Sequence, residues 1–187
     1  MVTINFESHA TSTDNEAHKS SGWADSPLSA LGEEQAMELG ERYKNEQFDA
    51  IFCSDLKRSY RTAEIAFAKR KFPIIQDKRL RECDYGDLTE HPSKEVDSVK
   101  VQYISEPFPN GESYEQAALR MKHFLADLLK SYDGKKVMII GHRATQYGLE
   151  HWLKNVSLKD AVTAPWKWQA GWGYVLETPQ FMNKYAL

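Results

Sequence analysis

Two short apolar runs, each followed closely by a histidine, constrain this chain more than any other feature. Residues 2–6 lead to His9, and residues 137–141 lead to His142. Short runs of β-branched and apolar residues between turn signals predict buried strands. In sheets of parallel strands, ligands bind outside the carboxyl ends of the strands. We therefore expect the two imidazoles to meet in one site built from both ends of the chain.

Strand patterns alternate with helical patterns along the rest of the sequence. Further strands are predicted at 48–53, 72–75 and 173–177, the last at a sheet edge, and helices from Ser29 onward and at 56–68, 114–132 and 146–153. Segments 10–29 and 84–112 are expected to be irregular. Such alternation predicts an α/β fold, a three-layer sandwich with a mostly parallel central sheet flanked by helices. The length favours a single domain, 1–187.

Composition and charge exclude several classes of function. Apolar residues make up 41% and the net charge is −3 with scattered cations, which argues against nucleic acid or an anionic membrane as partner. No apolar run approaches the ~20 residues of a membrane span, and the N-terminus does not read as a signal peptide. Cys53 and Cys83 predict no disulfide framework. We expect a cytoplasmic protein.

Charged residues with useful chemistry follow the middle strands. Arg58 and Arg61 stand one helical turn apart, and Arg58 lies near a helix N-terminus, where anions are favoured. Glu82 is a carboxylate that could reach the same edge of the sheet. Histidine, arginine and glutamate together indicate a nucleophile, a charge clamp and a proton carrier. A metal hydrolase is not favoured, because the sequence has no His-Glu-x-x-His motif.

Several segments, taken in chain order, resemble the motifs of the histidine phosphatase superfamily, which includes the phosphoglycerate mutases. That family opens with Arg-His-Gly after its first strand, and Ser8-His9-Ala10 occupies this place. The other matching segments follow in the family's order, at 26–32, 54–63, 80–87, 109–113 and 141–143. Each segment alone is a weak match, whereas their order and spacing are specific.

The resemblance implies a role for each candidate residue. His9 would be the nucleophile that becomes a phosphohistidine. Arg58 and a protonated His142 would stabilise the charge of the transition state, Glu82 would carry the proton, and Asn15 would bind a phosphate oxygen. The implied partner is a small phosphorylated substrate, and no metal or other cofactor is required.

Ser8 departs from the family pattern, because the family has a phosphate-clamping arginine there. Ser8 is expected to line the phosphate site without that charge, and losing one such donor could cost ~10²–10³ in rate. We hypothesise that Arg143, which follows His142 where the family has glycine, returns the guanidinium. Arg61 is a second candidate for phosphate binding.

The leading prediction is a metal-independent phosphatase acting on a phosphomonoester. Two alternatives stay open: a weakened or inactive member that only binds a phosphorylated ligand, and a phosphotransferase of the phosphoglycerate mutase type. The oligomeric state stays open between monomer and homodimer. Four tryptophans are expected to pack in the core and at the sheet edge: Trp152, Trp166, Trp168 and Trp172.

Overall fold

The structure is a computed structural model that describes residues 1–177. Its five strands are β1 (Val2–Ser8), β2 (Ala50–Cys53), β3 (Ile74–Gln76), β4 (Lys136–Gly141) and β5 (Trp172–Leu176). The α-helices within the described residues are α1 (Thr13–Glu16), α2 (Ala30–Arg42), α3 (Lys57–Phe67), α4 (Ser93–Val99), α5 (Tyr114–Tyr132), α6 (Arg143–Lys154) and α7 (Leu158–Thr163). Three 3-10 turns of the described part of the chain lie at Lys78–Leu80, Gly86–Leu88 and Lys100–Tyr103.

The strands form one sheet in the order β3-β2-β4-β1-β5. The first four strands are parallel to one another, and β5 pairs antiparallel with β1 at the edge. The predicted mostly parallel sheet and the predicted edge strand near 173–177 are both confirmed. In the register of β1 and β4, Ser8 stands opposite Gly141, so each strand ends just before its histidine.

Both faces of the sheet are buried, as the continuous apolar run of β4 predicts. Val137 and Ile139 belong to a core that includes Phe124 and Leu125 of α5. The alternate residues of β4, Met138 and Ile140, belong to a second core that includes Leu39 of α2, together with Ala63 and Phe67 of α3. Because successive side chains of a strand point to opposite faces, α2 and α3 cover one face and α5 covers the other. The predicted three-layer sandwich is confirmed.

The helix after β4 begins earlier than the sequence pattern indicates. The apolar periodicity predicts a start at 146, but α6 begins at Arg143, with His142 as its N-cap residue. The reason is local hydrogen bonding, since Thr145 Oγ1 accepts the His142 backbone N–H at 3.0 Å and Glu82 accepts the next two amides. These polar contacts satisfy the first amides of the helix and leave no signal in the hydrophobic pattern.

Both segments expected to be irregular contain helix. Helix α1 lies within 10–29, where Ser12 and Asn15 form a capping box. Helix α4 and two of the 3-10 turns lie within 84–112. The buried ring of Phe108 packs against Tyr85, Tyr103 and Tyr114, so this segment has a small aromatic core of its own.

A close approach fixes the loop after β1 against α2. A Cβ at Gly32 would come within 2.0 Å of the Thr11 carbonyl oxygen, so only glycine permits this packing. The Ser29 backbone N–H also donates to that carbonyl, at 3.0 Å. The loop that carries His9 is thereby held by the start of α2.

Within residues 1–177, none of the helices is long and apolar enough to cross a membrane. The predicted domain limit at residue 187 lies outside the described residues.

The core packing of α5 predicts a large difference between two leucines of this helix. Leu125 is fully buried, whereas Leu119 is 46% exposed. Leu125→Ala should lower the free energy of unfolding by about 2–5 kcal/mol, because it removes buried methyl groups and leaves a cavity. Leu119→Ala, the matched control, should change it by less than about 0.5–1 kcal/mol. Urea unfolding followed by circular dichroism measures both, and equal losses would contradict this packing.

Candidate active site

The two histidines that follow β1 and β4 lie side by side. Their ring centroids are 4.9 Å apart, with an interplanar angle of 54°. The His9 backbone N–H donates to the Gly141 carbonyl at 3.0 Å, which extends the strand pairing by one residue. Both rings line one cavity of about 570 Å³. The expected convergence of the two ends of the chain is therefore present in the structure.

His9 is held in the form that a nucleophile needs. Its Nδ1 lies 2.7 Å from the Ala10 carbonyl oxygen. A carbonyl oxygen only accepts, so Nδ1 carries the hydrogen and Nε2 keeps its lone pair. Burial, followed by the positive charge of Arg58, lowers the pKa of His9 to about 3. The ring is consequently neutral at physiological pH.

His142 is more deeply buried, at 1% exposure. Its Nε2 lies 2.6 Å from Ser54 Oγ, and its Nδ1 has no hydrogen-bond partner among the described residues. If the Ser54 hydroxyl donates to Nε2, Nδ1 carries the hydrogen and can donate it to a ligand. Burial first, then the charges of Arg58 and His9, hold the pKa of His142 well below its usual value. This lowered pKa favours the neutral imidazole, whereas the sequence analysis expects a protonated His142.

Arg58 is the buried cation of the site, with 2% of its surface exposed. Nη1 donates to the Ala24 carbonyl at 2.9 Å and Nη2 to the Gly22 carbonyl at 2.8 Å. A guanidinium has five N–H donors, so others remain for an anion. Among the described residues its fixed partners are carbonyls and not a carboxylate, which leaves its charge unpaired. Burial lowers the pKa of Arg58, and the largest opposing influence is the charge of Glu82.

Thr62 connects Arg58 to the loop that carries His9. Its hydroxyl donates to the Arg58 carbonyl at 2.6 Å and accepts the Ala10 backbone N–H at 3.0 Å. The residue is fully buried one turn along α3. This side chain therefore links the backbone of α3 at Arg58 to the backbone that follows His9.

Glu82 lies at the N-terminus of α6. Its Oε1 accepts the backbone N–H groups of Cys83 at 2.8 Å and Ala144 at 3.0 Å, and its Oε2 accepts that of Arg143 at 3.2 Å. Carboxylates are favoured at helix N-termini by the unsatisfied amides and the helix dipole. Arg120 fixes the chain behind it, since its Nη2 donates to the Glu82 carbonyl at 2.8 Å. The carboxyl group is thus held at the wall of the cavity.

The remaining candidates divide into two groups. Ser8, Asn15 and Arg143 line the cavity, although Asn15 Oδ1 already accepts the Ser12 backbone N–H at 3.0 Å. Arg61 does not line it: this side chain is about half exposed and pairs with Glu64 at 2.6 Å. The phosphate-binding role expected for Arg61 has no support in this placement, because α3 turns Arg58 inward and Arg61 outward.

Arg143 is held at the mouth of the cavity by two contacts. Its Nη1 lies 3.4 Å from Asp97 Oδ1 of α4, and its guanidinium carbon lies 5.2 Å from the centre of the Trp166 ring. Its side chain keeps 41% of its surface exposed. A ligand entering the cavity can therefore reach this cation without displacing buried structure.

Sequence reasoning missed several cavity residues that come from distant segments. They include Glu7 of β1, Lys19, Arg42 of α2, Tyr85, and Trp166 and Trp168 before β5. The expectation that all four tryptophans pack in the core or at the edge is wrong for Trp166 and Trp168, which line the cavity. No linear signal distinguishes them, because an aromatic residue in an irregular segment suits a core and a cavity wall equally well. Within residues 1–177, no group of three or more His, Cys, Asp or Glu side chains is arranged to hold a metal ion.

Comparison with known proteins gives consistent results. The sequence profile of the histidine phosphatase superfamily (branch 1) matches residues 8–169. "Uncharacterized phosphatase PhoE" of Bacillus subtilis (strain 168) is 36% identical over 149 residues, covering 80% of this chain and 76% of that protein. "Probable phosphoglycerate mutase GpmB" of Salmonella arizonae is 31% identical, covering 95% of this chain and 92% of that protein.

Solved structures share the fold. Bacillus stearothermophilus YhfR superimposes with a TM-score of 0.78 at 27% identity, covering 91% of this chain and 88% of that one. Mycobacterial glucosyl-3-phosphoglycerate phosphatase Rv2419c, solved with VO3, gives a TM-score of 0.77 at 23% identity, with 87% of each chain covered.

The low pKa of His9 predicts a cost in stability at acid pH. In the unfolded chain the imidazole has a pKa of ~6.5 and takes up a proton first as the pH falls. In the folded protein it stays neutral down to about 3. The free energy of unfolding is therefore not reduced by His9 above about pH 6.5. Below that pH it falls by ~1.4 kcal/mol per pH unit, because only the unfolded chain takes up the proton. Between pH 8 and pH 5 the wild type should lose about 2 kcal/mol more unfolding free energy than His9→Gln.

Urea unfolding of both proteins at the two pH values measures this difference. Imidazole NMR resonances, assigned to His9 by comparison with His9→Gln, provide the direct check. They should not titrate between about pH 8 and pH 5. A transition near pH 6.5, or the same pH dependence of stability in both proteins, would contradict the buried neutral state.

Proposed function

Because the chain belongs to the histidine phosphatase superfamily (branch 1), we propose that it hydrolyses a phosphomonoester through a phosphohistidine on His9. One observation carries this proposal: two neutral imidazoles and a buried guanidinium without a carboxylate partner line the same cavity. A phosphate group would supply the anionic partner that the guanidinium of Arg58 does not have among the described side chains. A phosphatase-named relative at 36% identity is consistent with this activity.

In the first proposed step, the Nε2 lone pair of His9 attacks phosphorus and the bond to the ester oxygen breaks. Glu82 gives a proton to the leaving oxygen, and the alcohol departs. In the second step, Glu82 takes a proton from water, whose oxygen attacks the phosphohistidine and releases inorganic phosphate. His9 returns with its lone pair, and the proton on Glu82 is restored.

Fixed donors would lower both barriers. Negative charge spreads over the equatorial oxygens of the transferring group, and preorganised donors aimed at these oxygens stabilise the transition state. Arg58 is fixed by two carbonyls and has N–H groups to spare. His142 Nδ1 has no partner among the described residues and is the second proposed donor.

Two alternative functions stay open, and the first of them follows from Ser8. The family's clamping arginine is absent at this position, so the site could bind a phosphorylated ligand with weak turnover. The phosphotransferase alternative shares the first step and differs only in whether water or a second alcohol accepts the phosphoryl group. The relative named as a probable phosphoglycerate mutase keeps that alternative relevant.

Trapping the intermediate tests the proposal. Wild type mixed with a ³²P-labelled phosphomonoester and quenched in base should retain label on one histidine, because phosphohistidine survives alkaline conditions. His9→Ala should retain none, and its kcat on p-nitrophenyl phosphate should fall by ~10⁴ or more. His123→Ala is the control, since His123 is exposed on α5, outside the cavity. Turnover that survives His9→Ala would rule out this mechanism.

Arg143 is proposed to supply the guanidinium that Ser8 lacks. Arg143→Ala should lower kcat/KM by ~10²-fold, the cost of one donor to the transition state, and Arg143→Lys should recover only part, because lysine lacks the planar fork. Arg61→Ala is the matched control, an arginine paired with Glu64 away from the cavity. If Arg143→Ala loses no more activity than Arg61→Ala, Arg143 is not the replacement.

A further inference from the structure

Buried hydroxyl groups connect the segments of the active site, and each of the four concerned is at most 2% exposed. In three of them the hydroxyl donates its hydrogen to a backbone carbonyl, and its oxygen accepts a backbone N–H. These three are Ser59, Thr62 and Thr145. The fourth is Ser54, which differs from the others because the partner of its hydroxyl is an imidazole.

The Ser54 hydroxyl has no backbone carbonyl as its acceptor among the described residues. Its oxygen lies 2.6 Å from His142 Nε2, and the Leu56 backbone N–H donates to that oxygen at 3.4 Å. An N–H group only donates, so the Leu56 amide cannot take the serine hydrogen. The imidazole of His142 is therefore the acceptor that this structure offers to the Ser54 hydroxyl.

The two neutral tautomers of His142 differ in how many buried groups they leave unpaired. With the hydrogen on Nε2, the imidazole would donate to Ser54. The serine hydrogen and the Nδ1 lone pair would then both lack a partner among the described residues. With the hydrogen on Nδ1, Nε2 accepts from Ser54 and only the Nδ1–H is unpaired. Unpaired buried polar groups are costly, so the Nδ1–H tautomer is favoured.

The backbone at the end of β2 fixes the place of this serine. The Ser54 backbone N–H donates to Ser59 Oγ at 3.1 Å, and the Ser59 hydroxyl donates to the Ile140 carbonyl of β4 at 2.8 Å. Ser54 is not among the described residues that line the cavity, whereas His142 is. Any influence of Ser54 on a ligand must therefore pass through the imidazole of His142.

We propose that Ser54 is a positioning residue that holds His142 in the Nδ1–H tautomer, so that this imidazole donates to an oxygen of the phosphoryl group in transfer. The other tautomer would present a lone pair to that oxygen and repel it. The donor role rests on the proposed phosphatase function, whereas the tautomer is a property of the ligand-free protein.

Imidazole ¹⁵N NMR tests the tautomer without any substrate, because the ring nitrogen that lacks a hydrogen resonates well downfield of the one that carries it. In wild type the downfield nitrogen of His142, assigned by comparison with His142→Gln, should be Nε2. Ser54→Val removes the donor, so both tautomers should be populated. Ser54→Thr matches valine in shape and keeps a hydroxyl, so it should restore the wild-type pattern. Thr62→Val, the control, removes a buried hydroxyl that bonds to neither Ser54 nor His142 and should leave the tautomer unchanged.

Steady-state kinetics on p-nitrophenyl phosphate measures the consequence for catalysis. Ser54→Val should lower kcat by at least ~10-fold with a smaller change in KM, because the lost donor acts mainly in the transition state. Ser54→Thr should recover most of this loss. A serine that only fills space would instead give equal losses in the two variants, since valine and threonine have nearly the same volume.

The outcomes separate this inference from the phosphatase function. A hydrogen on His142 Nε2 in wild type, or an unchanged tautomer in Ser54→Val, would overturn the role of Ser54 and leave phosphatase activity standing. If wild type hydrolyses no phosphomonoester, the proposed function fails, and spectra with inorganic phosphate decide. Phosphate should then shift the Nδ1–H resonance in wild type and Ser54→Thr much more than in Ser54→Val, and equal shifts would overturn the inference. If neither variant folds, the wild-type tautomer alone decides.

Discussion

The parallel pairing of β1 with β4 is the constraint on which the rest of the site depends. Its register sets Ser8 opposite Gly141, and the His9 amide continues the ladder to the Gly141 carbonyl. The backbone must then leave the sheet at the same level on both strands, so the two imidazoles meet. A slip of one residue would turn each side chain to the other face. The apolar residues of β4, packed on both faces, make such a slip costly.

One buried cation then determines the electrostatics of the cavity. Arg58 is held by carbonyls, and burial followed by the charge of Arg58 lowers the pKa of both imidazoles. Neutral His9 has the lone pair that attack on phosphorus requires. In the proposed mechanism the same charge would also attract the phosphate group, so Arg58 would contribute both to the neutral state of the nucleophile and to substrate binding. Ser8 removes one cation from this arrangement, which gives Arg143 its proposed importance.

The sequence predicted the elements whose signals are local. The helix at 114–132 is found at those residues, and the strand tips carry both histidines as expected. What it could not predict depends on tertiary placement. Arg58 and Arg61 look alike in the sequence, and only the packing of α3 turns one inward. Trp166 and Trp168 line the cavity from the segment before β5, whose Gly171 backbone N–H donates to Glu7 near the other end of the chain.

The central claim is that the imidazoles and the guanidinium form one site for a phosphoryl group in transfer. A crystal structure with vanadate, which adopts the trigonal-bipyramidal geometry of that group, tests this claim most directly. The account predicts vanadium bonded to His9 Nε2, with equatorial oxygens at ~2.7–3.1 Å from Arg58 and from His142 Nδ1. Vanadate bound elsewhere, or bound in the cavity without contact to His9, would contradict it.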